Sequence, residues 1–219
     1  KEKDLVWYQQ KCILRKEKLK LKLLLQKEKN NMINEKQKRK EIGIVTKPDF
    51  LENQVKKNIF IGIGSNLGNK KYNIESAKFL LQSNGVVIRN CSSYYITPSW
   101  PDPKKPEFLN IVADIETKLL VNDLLNLCNF IEKHLGRKRV VKNEPRTCDI
   151  DIIDYDRLII NSGNSSKLVL PHPKLSSRNF VLLPLFEISK NWIHPKSKIN
   201  IANLISLLKE KDLTTIKKI

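Results

Sequence analysis

Four cysteines, three histidines and one methionine are scattered through 219 residues, and no apolar run approaches the roughly 20 residues that span a bilayer. Cys12, Cys91, Cys128 and Cys148 lie far apart, with no C-x-x-C and no close histidine. That spacing argues against a zinc site and a small disulfide scaffold, and leaves reduced thiols. Leu23-Leu24-Leu25 is too short for a signal-peptide core, and no small-residue cleavage site follows it. A transit peptide would be arginine-rich and acid-poor, whereas the first residues mix lysine with glutamate. A cytoplasmic location is the expectation. Met32 is the only methionine, which admits a chain start there.

Acidic residues are also in short supply. Lys+Arg number 41 against 23 Asp+Glu, a net charge of +18. Residues 1–57 hold 17 basic against 8 acidic side chains and so carry +9, half the excess in about a quarter of the length. Such basicity suits a nucleic-acid-binding module, and equally an enzyme whose substrate is a polyphosphate. Residues 1–57 read as a lysine-rich extension, partly helical or disordered, and residues 58–219 as one domain.

Within that domain, Ile59 to Ile63 reads as a buried strand and Gly64 to Asn69 as a turn. Tyr72 to Gln82 has helical spacing. Val86 to Ile96 alternates as one strand and Phe108 to Thr117 as another, separated by a proline-stiffened loop, Pro98 to Pro106. Asn122 is placed to cap a helix over Asp123 to Leu135, with Gly136 at its stop. A short, half-buried strand in the stretch Pro145 to Ile153, Arg157 to Ile160 after it, and helices near Ser177 to Glu187 and Ile201 to Lys209 complete the chain. The order β-α-β-β-α-β predicts an α+β, ferredoxin-like sandwich with helices on one face of an antiparallel sheet.

The glycines of Gly62-Ile63-Gly64-Ser65-Asn66-Leu67-Gly68 are spaced one residue too long for a dinucleotide fingerprint, and a Walker loop is absent. They read as serving backbone geometry in a tight turn.

Pro145-Arg146-Thr147-Cys148-Asp149-Ile150-Asp151-Ile152 is richer in chemistry. Alternation puts Asp149 and Asp151 on one face and Ile150 and Ile152 on the other. Two carboxylates at close range repel by roughly 4 kcal/mol at an effective dielectric of about 20, so the pair calls for cations. Hard oxygen donors suit magnesium, which commonly holds substrate phosphates. The alternative is the solvated face of an edge strand. Arg137, Lys138, Arg139, Lys142 and Arg146 precede the pair and favour phosphate, since planar guanidinium forks bind it bidentately. His172 and Arg178 follow in a proline-framed turn.

In this order, Gly64 to Gly68, Ser92 to Pro98, Phe108-Leu109-Asn110, Ile131-Glu132, Gly136 to Arg139, Pro145 to Asp151, and Pro171-His172 with Arg178 and Phe180 resemble the 6-hydroxymethyl-7,8-dihydropterin pyrophosphokinases of the folate pathway. The resemblance covers residues 58–209. It implies transfer of the terminal diphosphate of ATP to the pterin hydroxymethyl group, with release of AMP. Asp149 and Asp151 would hold two magnesium ions. Arg139 and Arg146 would act with them in catalysis. Asn129, Glu132, Arg137, Arg139, Arg146, Ile152, His172 and Arg178 would meet ATP. Thr97, Pro98, Trp100, Phe108, Asn110 and Phe180 would meet the pterin, although Phe108 and Phe180 are also read as plain core packing. Small-molecule substrates and a monomer are implied, with no membrane or nucleic-acid partner. The sequence departs from the family at Asn143-Glu144, where an aromatic and a glycine are common, and at Pro173.

Overall fold

The computed structural model describes residues 55–100, 102–137, 144–161 and 168–219. Its spine is β1 (Lys56–Ser65), in which Ile59, Ile61 and Ile63 are buried and alternate with Phe60, Gly62 and Gly64. β1 pairs antiparallel with β4 (Phe108–Thr117) on one side and with β5 (Asp149–Tyr155) on the other. The outer edge of β4 is shared by β2 (Val87–Cys91) and β3 (Tyr95–Thr97), and β6 (Lys217–Lys218) pairs with β3. The resulting order is that of a ferredoxin-like sheet, with a sixth short strand added at one edge.

Helices cover both faces. α1 (Lys70–Ser83) starts where the Asn69 side chain accepts the Tyr72 N–H (3.1 Å) and buries Ile74, Ala77, Leu80 and Leu81. α2 (Val121–His134) buries Leu124, Leu127, Cys128 and Ile131. These two pack on each other and on β1 and β5. By strand alternation they cover the face of Ile59, Ile61 and Ile63. The opposite face is apolar too. Phe60, Val112 and Ile153 cluster there with Val181, Leu182 and Leu185 of α3 (Asn179–Ile188) and with Ile201 and Leu204 of α4 (Ile201–Ser206). An apolar face of that size must be covered, and the C-terminal helices do it.

Other boundaries moved for local reasons. The segment read as one strand from Val86 to Ile96 breaks into β2 and β3, because the Ser92 hydroxyl accepts the Val112 N–H (3.0 Å) that a regular ladder would use. Leu120, not Asn122, is the N-cap of α2, with no side-chain bond. Arg157 to Ile160 is a turn with Asp156 and Arg157 at positive φ, and only Ile160 bridges, to Leu170. α3 follows a separate 3₁₀ turn, Leu175–Ser177. The last predicted helix ends at Ser206, and α5 (Glu210–Thr214) and β6 follow it.

α3 is tied at its far end by Glu187. Its carboxylate accepts from Ser93 N (3.2 Å), Ser93 Oγ (2.7 Å), Tyr95 Oη (2.8 Å) and Lys218 Nζ (3.0 Å). Among the described residues, no helix is long and apolar enough to cross a membrane.

Candidate active site

The register sets the site. Asp149 stands opposite Gly64, and Gly64 opposite Asn110; Asp151 stands opposite Gly62, and Gly62 opposite Val112. Cross-strand partners share a face, so both carboxylates lie on the α3 side of the sheet with bare glycine backbone between them and β4. Gly64, read from the sequence as the start of the turn, is therefore a strand residue, as Gly62 is. A Cβ on Gly64 would sit 2.8 Å from Asn110 Oδ1 and 3.5 Å from Phe108 Cδ1. The glycine that the turn needs is Gly68, at φ +67°.

β5 carries one extra residue against β1 between Ile152 and Asp154. This bulge brings Asp154 to the same face as Asp149 and Asp151. Asp154 is only 1% exposed and is bonded by Trp192 Nε1 (2.8 Å) and Arg157 N (3.0 Å), so it offers no third open carboxylate.

Asp149 is held by two arginines. Arg146 Nε donates to Oδ2 (2.8 Å), joined by its Nη2, and Arg137 Nη1 meets Oδ1 (2.5 Å). Burial disfavours the charge on Asp149, but the Arg146 and Arg137 guanidiniums outweigh it and hold the carboxyl below its ordinary range. Arg137 also pairs with Glu132 (2.6 Å), whose Oε1 accepts the Ile150 N–H (2.8 Å). Glu132, 3% exposed, thus fixes both the edge of β5 and the arginine beside it.

Asp151 faces Arg178 Nη1 (2.9 Å) and His172 Nε2 (4.0 Å). His172 Nδ1 accepts the Lys174 N–H (3.2 Å), and Nε2 lies 3.4 Å from Arg178 Nη1, between that arginine and Asp151. Burial, with help from Arg178 and Lys174 and against the pull of Asp151, lowers the His172 pKa and keeps the ring neutral near pH 7.

On β4 and β3, Asn110 Nδ2 donates to Thr97 Oγ1 (3.0 Å), and both side chains are buried. The Arg146 guanidinium lies 4.9 Å from the Phe108 ring centre and that of Arg178 lies 5.4 Å from Phe180. Phe180 also packs against the core of α3 and α4. Trp100 is 70% exposed, with Lys174 Nζ 5.2 Å from its ring centre. Pro98 is half-buried just beyond β3.

Asn129 is exposed on α2, three residues before Glu132. The Ile152 side chain is buried on the far face of the sheet. Ile150 sends its N–H outward to Glu132, and two residues on, the backbone of Ile152 shares that outward direction. Any contact of Ile152 with a ligand on the site face is thus through backbone. Arg139, Lys138 and Lys142 lie outside the described residues. The Thr147 hydroxyl, beside Arg146, is buried without a partner among the described residues.

The donor set fits magnesium. Two carboxylates share a face, and no cluster of three or more His, Cys, Asp or Glu able to hold a metal occurs among the described residues. Magnesium commonly takes one or two carboxylates and completes its shell with water and substrate phosphate.

The family model described as 7,8-dihydro-6-hydroxymethylpterin-pyrophosphokinase matches residues 60–190. A 2-amino-4-hydroxy-6-hydroxymethyldihydropteridine pyrophosphokinase of Synechocystis is 34% identical over 158 residues, which cover 71% of this chain and 77% of the relative. The Bacillus subtilis protein of the same name is 38% identical over 130 residues, covering 59% and 76%. The folic acid synthesis protein fol1 of Pneumocystis carinii is 35% identical over 158 residues; the match covers 72% of this chain but only 21% of that longer protein. A crystal structure of an HPPK-DHPS in complex with substrates shares the fold, with a TM-score of 0.52 at 14% identity, covering 74% of this chain and 46% of that one. With the carboxylate pair, its arginines and the bonded Asn110–Thr97 pair on one sheet face, and with the family model spanning all of them at residues 60–190, the chain belongs to the 7,8-dihydro-6-hydroxymethylpterin-pyrophosphokinase family.

Proposed function

We propose that this chain transfers the terminal diphosphate of ATP to the hydroxymethyl oxygen of 6-hydroxymethyl-7,8-dihydropterin and releases AMP. The observation that carries the reading is the row Asp149–Gly64–Asn110. It sets a metal-type carboxylate and a buried amide on either side of a strand that has no side chain between them. The pterin oxygen attacks the β-phosphorus, the bond from that phosphorus to the α,β-bridging oxygen breaks, and the bridging oxygen leaves on AMP. The hydroxyl proton passes to solvent. Asp149 and Asp151 would hold two magnesium ions. When bound, these neutralise phosphate charge and lower the charge barrier to in-line displacement.

The protein residues supply binding and alignment. Arg146 and Arg178 each reach from an aspartate toward the face of a pterin-side aromatic, so both cations border the two substrates at once. Their planar forks suit phosphate oxygens. Neutral His172 stands beside Arg178 and Asp151 on the phosphate side. Arg137 and Glu132 hold the nucleotide side, with Arg139, Asn129 and the Ile152 backbone as further ATP contacts. Asn110 and Thr97 read the polar edge of the pterin, with Phe108, Phe180, Pro98 and Trp100 around it. Diphosphate transfer demands mainly such positioning and charge neutralisation.

We assign the catalytic domain to residues 58–219, within which the family match at residues 60–190 lies. Incubation with ATP, magnesium and the reduced pterin is expected to yield AMP, not ADP. Asp149→Ala and Asp151→Ala are each expected to abolish it with the fold retained. Full activity in either variant, or ADP as product, would refute the assignment.

A further inference from the structure

Asn66 belongs to the glycine-containing turn that no substrate contact has claimed. It directly follows β1, is 3% exposed, and spends its side chain on two separate parts of the site. Oδ1 accepts the Arg146 N–H (2.7 Å), and the Asn66 N–H donates to Arg146 O (3.1 Å), a reciprocal pair that fixes the backbone of the phosphate-side arginine. Nδ2 donates to Ser99 Oγ (3.2 Å) and to Pro106 O (3.1 Å), and Ser99 Oγ donates to Pro106 O (2.7 Å). Those two residues bound the loop that carries Trp100. The amide orientation follows from its partners, since Arg146 offers a backbone donor and Pro106 a carbonyl acceptor. The turn is itself braced, because Asn73 Nδ2 donates to Ser65 Oγ (3.2 Å) and Leu67 O (2.9 Å).

The geometry points to Asn66 as a positioning residue that sets the distance between the phosphate-side stretch at Arg146 and the pterin-side loop at Ser99 to Pro106. The inference rests on the diphosphate-transfer reading and adds a part to it. Arg146 aims at Asp149 and stacks on Phe108, so a shift of its backbone moves the triphosphate side against the pterin. In-line transfer is intolerant of such shifts, and a displacement of about 1 Å costs on the order of 100-fold in rate. Lys105 of the same loop also pairs with Glu144 (3.0 Å), but that contact is exposed, whereas the Asn66 bonds are made by a buried side chain.

Asn66→Asp tests it. The isosteric carboxylate keeps an acceptor for Arg146 N–H and loses the donors to Ser99 and Pro106. Expected are a fall in kcat of roughly 10- to 100-fold and a raised KM for the pterin, with affinity for a magnesium-bound non-hydrolysable ATP analogue within about threefold of wild type. Ser99→Ala, milder and on the pterin side only, is expected to raise the pterin KM alone, and it decides the matter if Asn66→Asp does not fold. Wild-type kinetics in a folded Asn66→Asp would overturn the inference. So would equal losses of nucleotide and pterin affinity in step with a lowered Tm, the mark of a merely structural role. Amide exchange gives the answer apart from catalysis. Faster exchange in both the 99–107 and 146–149 segments of Asn66→Asp supports the coupling, and unchanged exchange refutes it. Absence of AMP release by the wild type would defeat the proposed reaction while leaving that exchange result to stand on its own.

Discussion

Gly64 shows how much a single missing side chain can decide. An added Cβ would stand 2.8 Å from Asn110 Oδ1, well inside van der Waals contact, so one of the two must move. Gly64→Ala is expected to displace the Asn110 amide, raise the KM for the pterin at least tenfold, and cost about 1–3 kcal/mol of stability. Steady-state kinetics and thermal unfolding check both, and an unchanged pterin KM would show that Asn110 does not read the substrate. The carboxylate pair was legible in the sequence because a strand has a strict period of two, so Asp149 and Asp151 had to share a face. The purpose of Gly62 and Gly64 was not, because what a glycine makes room for lies on a neighbouring strand. Asn66 was hidden for the same reason, since its partner Arg146 is 80 residues away. Glu132 was read as a nucleotide contact from the family pattern; its bonds to Ile150 and Arg137 emerge only once α2 packs beside β5.

Helix α3 is held at both ends, by Arg178 on Asp151 at its start and by Glu187 on Ser93, Tyr95 and Lys218 at its finish. Burial raises the pKa of Glu187, but hydrogen bonds from Ser93, Lys218 and Tyr95 outweigh it and bring it below its ordinary value of 4.5. The unfolded chain then binds the proton more readily, so the stabilisation is complete above that ordinary value and is lost as pH falls through the folded one. Glu187→Gln is expected to lower stability by about 1–2 kcal/mol at pH 7. The gap in Tm from wild type should narrow as pH falls below that ordinary value; a gap independent of pH would mean the charge contributes nothing. Elements with a clean internal pattern, β4 and the core of α1, stood where alternation and helical spacing put them. Elements shaped by distant partners did not. The β2–β3 break follows from Ser92 meeting Val112, and β6, two lysines long, has no pattern to read.

For the whole molecule, the +18 charge invited a nucleic-acid reading that the family membership does not support. Half of that charge lies in residues 58–219, where the cations around Asp149 and Asp151 account for some of it by their proposed work on phosphate. A chain starting at residue 55 is expected to keep turnover within tenfold of the full chain and to show no salt-steep affinity for RNA. A tenfold or greater loss would assign the first segment a part in catalysis. The central place of β1 has a consequence in time. Its two neighbours, β4 and β5, come from far along the chain, and the site exists only where all three meet. Helices form from local contacts within microseconds, whereas closing pairings of such sequence separation is slow. During refolding from denaturant, the helical far-UV signal should therefore return before AMP release does. The interval between them measures how late the last strand, with both aspartates on it, arrives beside the first.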